Sequence, residues 1–151
     1  MDITGDRLIL ASRKAVWRSL FDTSLLSQCI PGCEMVERES ESVFKVTTLL
    51  SIGPLKARFS GTLSIADAEA PQCCTLLFDG QGGAAGMAKG SAKVVLTEVD
   101  GGTQLSYSAQ VHISGKLAQV GSRLVDSVAK KLSIMFFDKF EAAVAQSIQQ
   151  P

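Results

Sequence analysis

Four cysteines and a single histidine are the side chains of this sequence that are best suited to metal or redox chemistry. Cys29 and Cys33 flank three residues, which is not the two-residue spacing of a redox pair or a zinc knuckle. Cys73 and Cys74 are adjacent, so in a strand their side chains would point to opposite faces. Without a second pair of ligands, the sequence predicts no metal site, and free thiols are the expected state in a reducing compartment.

Acid–base catalysis would need a titratable group among the positions that face the core. His112 falls on the polar face of an alternating strand, which favours a solvated side chain. Asp79 and Tyr107 are the nearest candidates for an acid or a base. Because no Ser-His-Asp or Cys-His arrangement is apparent, we predict no catalytic residue.

A segment rich in glycine and alanine, residues 81–90, has the composition of a phosphate-binding loop but not its context. Such a loop follows a strand and opens a helix, whereas residues 91–99 alternate as a strand. We expect a flexible or bulged connection, because ordering so many glycines costs conformational entropy. It is the best candidate for a mobile lip over a pocket or a docking loop, formed by Gly82, Gly83, Gly86, Met87, Lys89 and Gly90.

Length, charge and hydropathy limit the class of protein. The 151 residues are sufficient for one domain, 1–151, and 46% of them are hydrophobic. The 15 basic and 15 acidic residues balance, which argues against a nucleic-acid partner. No run approaches the roughly 18 apolar residues of a membrane span, and the first residues lack the form of a signal peptide. We therefore expect a cytoplasmic protein.

The positions of these residues depend first on a predicted C-terminal helix from Gly115 to Gln149. Apolar residues recur there every three or four positions, in a first stripe of Leu117, Val120, Leu124, Val128, Leu132 and Met135. A second stripe, rotated by roughly 150°, consists of Phe137, Phe140, Val144 and Ile148. Either the last turns meet a different part of the body, or the helix bends, or Phe137, Phe140 and Val144 contact a partner, a second copy or a membrane.

The rest of the chain predicts strands. A first strand, 3–10, precedes a short helix at 15–21 with Ser12 as N-cap, and a second short helix is capped by Asp22 or Thr23. Residues 43–52 and 55–65 alternate around a Gly53-Pro54 turn, and further strands are expected at 73–80, 91–99 and 105–113. The fold class is therefore α+β, with a curved antiparallel sheet of about six or seven strands wrapped around the long helix.

A curved sheet that grips one helix leaves a space that is a ligand pocket by default. Each candidate wall residue is equally explained as ordinary core. The candidates are Trp17, Phe44, Val46, Leu63, Phe78, Leu105, Tyr107, Leu124, Val128 and Leu132.

Three segments carry a resemblance to a known family: 30–33 (Ile-Pro-Gly-Cys), the glycine-rich 82–92, and 115–124, where the last helix opens. Together with the Trp17 helix and Phe136-Phe137, they resemble the carbon monoxide dehydrogenase G-subunit (CoxG) family. That family belongs to the START-like, helix-grip (SRPBCC) superfamily. The resemblance covers nearly the whole chain, from about residue 2 to residue 145.

The resemblance implies a deep hydrophobic cavity and an accessory, non-catalytic role beside a molybdenum hydroxylase of the carbon monoxide dehydrogenase type. It also implies a lipophilic ligand, such as a quinone or a lipid, and roles in enzyme recruitment, maturation or electron hand-over. Many members carry a C-terminal extension thought to hold the enzyme at the inner face of the membrane. This sequence ends at Pro151, so peripheral contact would depend on the Phe137 stripe. The alternatives are a docking module without ligand, or a cyclase or hydrolase of the same superfamily.

Overall fold

The chain folds as one strand, two short helices, six further strands and a terminal helix, and the computed structural model describes residues 1–149. Two caps set the start of the short helices, because the Ser12 side chain accepts from the amide of Ala15 and the Asp22 side chain accepts from that of Leu25. The elements are β1 (Asp2–Ile9), α1 (Arg13–Leu20), α2 (Thr23–Cys29), β2 (Cys33–Arg38), β3 (Val43–Ile52), β4 (Leu55–Glu69), β5 (Cys73–Gln81), β6 (Met87–Val99), β7 (Gly102–Ser114), α3 (Lys116–Gln119) and α4 (Ser122–Gln149).

All seven strands form one antiparallel sheet in the order β1-β7-β6-β5-β4-β3-β2. Each hairpin follows the previous one along the chain, and β1 closes the order by pairing with the last strand. α4 lies across the concave face of the sheet, and α1 and α2 pack against its second half. This architecture confirms the predicted curved sheet around a long C-terminal helix. Among the described residues, no helix is both long and apolar enough to cross a membrane.

The C-terminal helix is not continuous from Gly115, as the periodicity predicted. Its first turn, α3, ends at Gln119, and Gly121 takes a positive φ of 101° that stops the helical path. α4 starts again at Ser122. The break changes the phase of the helix, so the residues before and after Gly121 do not share one stripe.

The prediction that Phe137, Phe140 and Val144 form an exposed contact surface is wrong. Phe140 and Val144 are completely buried in the main core, where they pack with Val16 of α1 and Cys29 of α2. The alternative that the last turns meet another part of the body is what the structure shows. The side chain of Ile148, placed in the same stripe, lies outside the part of the chain that the structure describes.

The two predicted stripes are in fact one broad buried stripe. Val125, Ala129, Leu132, Phe136, Phe140 and Val144 follow at steps of three or four and are all at least partly buried. The small side chain of Ala129 hides this continuity in the sequence. Met135, assigned to the first stripe, is 37% exposed.

The predicted lip at residues 82–90 is mostly strand. Met87, Lys89 and Gly90 belong to β6 and pair on both sides, with β5 and β7. Only a single 3₁₀ turn, Gly83–Ala85, separates the strands. The prediction that these three residues form a mobile lip or docking loop is therefore wrong.

Close contacts with neighbouring strands explain the glycines of this segment. A Cβ on Gly82 would collide with the ring of Phe59, and one on Gly90 with the carbonyl oxygen of Gln110. Gly86 has a φ of +102°, and a Cβ there would collide with the carbonyl oxygen of Ser114. The sheet itself thus requires these glycines, without any mobile lip.

Candidate functional site

An apolar cavity of about 560 Å³ lies between the concave face of the sheet and α4. Alternate residues of the strands point into it, as the period-two pattern predicted. Val125, Val128 and Leu132 of α4 cover it, and Ile30, after α2, closes one side. The cavity therefore occupies the space that a helix-grip core would otherwise fill with side chains.

Small residues on the inner face of the sheet keep this space open. Gly61 pairs with Gly80, and Gly80 pairs with Ala88, so that one row across β4, β5 and β6 carries almost no side-chain volume. Ala92 and Ala109 form a similar pair between β6 and β7. Paired residues in an antiparallel sheet point to the same face, and all five line the cavity.

Gly80 marks the emptiest of these positions. A Cβ there would meet only one atom within 4 Å, the carbonyl oxygen of Ala88 at 3.9 Å. A larger side chain at Gly80 would thus point into free space, without a backbone collision. By contrast, a Cβ on Gly61 would collide with the carbonyl oxygen of Asp79.

The few polar side chains around the cavity are already bonded within the protein. The carboxylate of Asp79 accepts from the amide and the hydroxyl of Thr62, both at 3.2 Å. The hydroxyl of Ser133 donates to the carbonyl oxygen of Ala129 at 2.9 Å. The site therefore offers apolar surface to a ligand, and its best acid candidate, Asp79, fastens β4 to β5.

An aromatic cluster closes one end of the cavity. Phe136 and Phe137 line it and pack edge to face, with ring centroids 5.0 Å apart. Outside them, the guanidinium of Arg7 lies 5.7 Å from the Phe137 ring centroid and donates to Asp138 at 2.9 Å. The hydrogen bond to Asp138, the largest of several causes, raises the pKa of Arg7. Arg7 thus fastens the edge strand β1 to α4 at the closed end.

The cavity includes six of the ten predicted wall residues: Val46, Leu63, Phe78, Tyr107, Val128 and Leu132. The assignment is wrong for the other four. Trp17 packs edge to face on Phe21, with centroids 5.0 Å apart, and Leu105 is buried in the main core. Phe44 is buried beneath the guanidinium of Arg38, 4.7 Å from its ring centroid. Leu124 packs on Gly53 in the turn between β3 and β4.

Sequence reasoning missed the small residues and the aromatic end of the cavity. Gly61, Gly80 and Ala88 fall on inward positions of the alternating strands, so their size was a usable signal of missing volume. Phe137, assigned to an outer surface, lines the cavity instead. The phase change at Gly121 concealed this, because the angular count was carried through the break.

The cysteines are all free, and two of them are buried. Burial raises the pKa of the Cys74 thiol to about 11 and also raises that of Cys29. Both thiols are therefore protonated at neutral pH and are poor nucleophiles. His112 is exposed, as expected from its place on the outer face of β7. Across residues 1–149, no three side chains of the metal-ligating types come together.

Comparison with protein families gives one match, to the CoxG model of carbon monoxide dehydrogenase, over residues 5–145. The chain belongs to the CoxG family. The match includes all strands except the start of β1, and all of the helices except the last residues of α4. Among curated proteins, none matches this CoxG-family chain.

Solved structures show the same fold. A conserved protein from Geobacillus kaustophilus has 31% identity and a TM-score of 0.91, with 97% of each chain covered. The ZhuI aromatase/cyclase from Streptomyces sp. R1128 is 11% identical, with a TM-score of 0.74 over 99% of this chain and 96% of that one. Ara h 8.0201 is 15% identical, with a TM-score of 0.66 over 97% and 98%. The last two likenesses concern the helix-grip fold alone.

Proposed function

We propose that this chain is a non-catalytic accessory protein that binds a lipophilic ligand, such as a quinone or a lipid, in the cavity between the sheet and α4. The ligand would serve a molybdenum hydroxylase of the carbon monoxide dehydrogenase type, in recruitment, maturation or electron hand-over. Membership of the CoxG family supports the enzyme partner. The observation that carries the ligand is the apolar cavity of about 560 Å³.

The size of the cavity argues for an occupant. An unfilled cavity in a core costs about 24 cal/mol per Å³, so a quarter of this volume would already cost on the order of 3 kcal/mol. Domains of this size are stable by only about 5–15 kcal/mol. A fold selected for stability alone would place larger residues than glycine and alanine at positions 61, 80 and 88. A ligand that fills the space restores the lost contacts.

The chemistry of the walls supports binding rather than acid–base catalysis. A cyclase or hydrolase would need a free acid or base beside the substrate. Asp79 is occupied by Thr62, and the ring of Tyr107 is stacked on Phe137. These interactions position the walls and leave an apolar surface for the ligand.

Native mass spectrometry of the purified chain, followed by organic extraction, tests the ligand directly. We expect one lipophilic molecule per chain, or uptake of one added decylubiquinone per chain if the protein is purified empty. A chain that is empty and takes up neither decylubiquinone nor a fatty acid would contradict the proposal.

The partner is tested with a purified carbon monoxide dehydrogenase, carbon monoxide and the quinone-loaded chain. Oxidation of carbon monoxide with water to carbon dioxide releases two electrons and two protons, which reduce the bound quinone to quinol. We expect quinol to form faster with the loaded chain than with the same quinone and a Gly80→Leu variant. Equal rates would show that the cavity plays no part in hand-over.

A further inference from the structure

A second, more polar pocket of about 610 Å³ adjoins the apolar cavity. It lies where β1 begins, β7 ends and α4 begins, and we call it the vestibule. Met1, Val111, Ile113 and Val125 line both spaces. Because the two spaces share these walls, the vestibule forms the approach to the cavity at the end opposite the aromatic cluster.

The sequence leaves the sheet unsealed at this point. The pairing of β1 with β7 begins at Asp2 and Gln110, whereas β7 continues to Ser114. Residues 111–114 therefore extend beyond the ladder of β1, and only the first residue of the chain reaches them. On the other side, the break at Gly121 interrupts the helix before it can cover this edge.

The remaining walls of the vestibule carry polar groups. His112 and Arg123 are exposed there, beside Asp2 and the partly buried Asp126. Asp126 is paired with Lys130 at 3.1 Å. Within residues 1–149, Arg123 forms no ion pair. Its guanidinium therefore has hydrogen-bond donors available beside the entrance of the apolar cavity.

We propose that the vestibule holds the polar head of the ligand while the cavity holds its apolar body. The ligand is then amphipathic, with a head that accepts hydrogen bonds from Arg123, and an anionic head binds more tightly than a neutral one of equal length. This inference rests on the proposed function, because it assumes an occupant of the cavity. It assigns to Arg123 and His112 a part in head-group recognition that the apolar walls do not provide.

Two probes of equal chain length test the head-group site: decanoate and 1-decanol, titrated calorimetrically at neutral pH. The wild-type chain should bind decanoate about threefold to tenfold more tightly than 1-decanol, the range expected for a charge-assisted bond at a partly exposed site. Arg123→Gln should remove this preference and change 1-decanol binding less than twofold. The control Lys131→Gln, on the exposed face of α4, should retain the preference.

The outcomes separate this inference from the proposed function. If both probes bind equally to the wild type, and Arg123→Gln changes neither, the head-group site is wrong while the cavity binds as proposed. If Lys131→Gln lowers decanoate binding as much as Arg123→Gln does, the effect is general surface charge and the site is likewise wrong. If neither probe binds the wild type, both proposals fail. Thermal unfolding of each variant verifies that the fold is retained.

Discussion

The ring of Tyr107 on β7 stacks on that of Phe137 on α4, with centroids 5.1 Å apart and an interplanar angle of 19°. Gly5 of β1 makes this arrangement possible, because a Cβ there would collide with the Tyr107 ring. Three elements that are distant in sequence thus meet at the closed end of the cavity. A stacked aromatic pair contributes about 0.5–1.5 kcal/mol beyond the area it buries.

Phe137→Ala tests the stabilising role of this stack. We expect a loss of about 2–3 kcal/mol, near the lower end for a phenylalanine truncation because Phe137 is only partly buried. Met135→Ala, on the same helix and more exposed, should cost below about 1 kcal/mol. Urea unfolding measures both, and equal losses would contradict the closed end described above.

Phe140→Asp distinguishes a core residue from a contact surface. Phe140 is fully buried and lies 5.6 Å, centroid to centroid, from Phe136. An aspartate there would place an unpaired charge in the core, so we expect loss of the folded state. Phe140→Leu keeps the site apolar and should retain the fold at a reduced melting temperature. Circular dichroism decides the point: a folded, monomeric Phe140→Asp protein would restore the surface interpretation.

The alternation of the strands was sufficient to predict the sheet and which side chains point inward, because a strand has a period of two wherever it lies. The helix was harder. Its stripe includes Ala129 and Ser133, whose small or polar side chains do not signal burial in a sequence. The positive φ of Gly121 is a local backbone choice that a periodic count does not detect.

The glycines at the β5–β6 connection give a matched pair of variants. Gly83 and Gly86 both have positive φ, of 60° and 102°. Gly83 has no atom within 4 Å of an added Cβ, whereas Gly86 faces the carbonyl oxygen of Ser114. Gly83→Ala should therefore cost about 1 kcal/mol, for the backbone conformation alone. Gly86→Ala should cost about 3 kcal/mol or more, and similar losses in chemical denaturation would show that packing does not require Gly86.

Stability at alkaline pH should depend on Cys74. Burial raises the pKa of its thiol from 9.0 to about 11, so between these values the unfolded chain loses the proton first. The unfolded state then binds fewer protons, and the free energy of unfolding falls as pH rises through this window. Below pH 9 the contribution is fully present.

Cys74→Ala removes this linkage and should show a shallower fall between pH 9 and pH 11. The difference between the two slopes should reach on the order of 2 kcal/mol. Urea titrations in the presence of a reductant measure it, with each protein compared to its own value at pH 8. Parallel slopes would contradict the assignment of the shift to Cys74.

The cavity itself was predictable only in outline. Alternation placed Val46, Leu63 and Tyr107 on its walls, but Phe44 and Leu105 have the same pattern and are buried away from it. Whether an inward residue lines a space or fills a core depends on its neighbours on other strands. Pairing such as Gly61 with Gly80 is a tertiary fact that one strand does not disclose.

The central claim is that the apolar cavity binds a lipophilic ligand, and filling it from Gly80 tests this most directly. Decylubiquinone would be titrated into the wild type, Gly80→Leu and the control Gln110→Leu, which adds the same side chain at an exposed position on β7. We predict one bound quinone per chain for the wild type and the control, and at least tenfold weaker binding for Gly80→Leu with the fold retained. Equal affinity in all three proteins would contradict binding in this cavity.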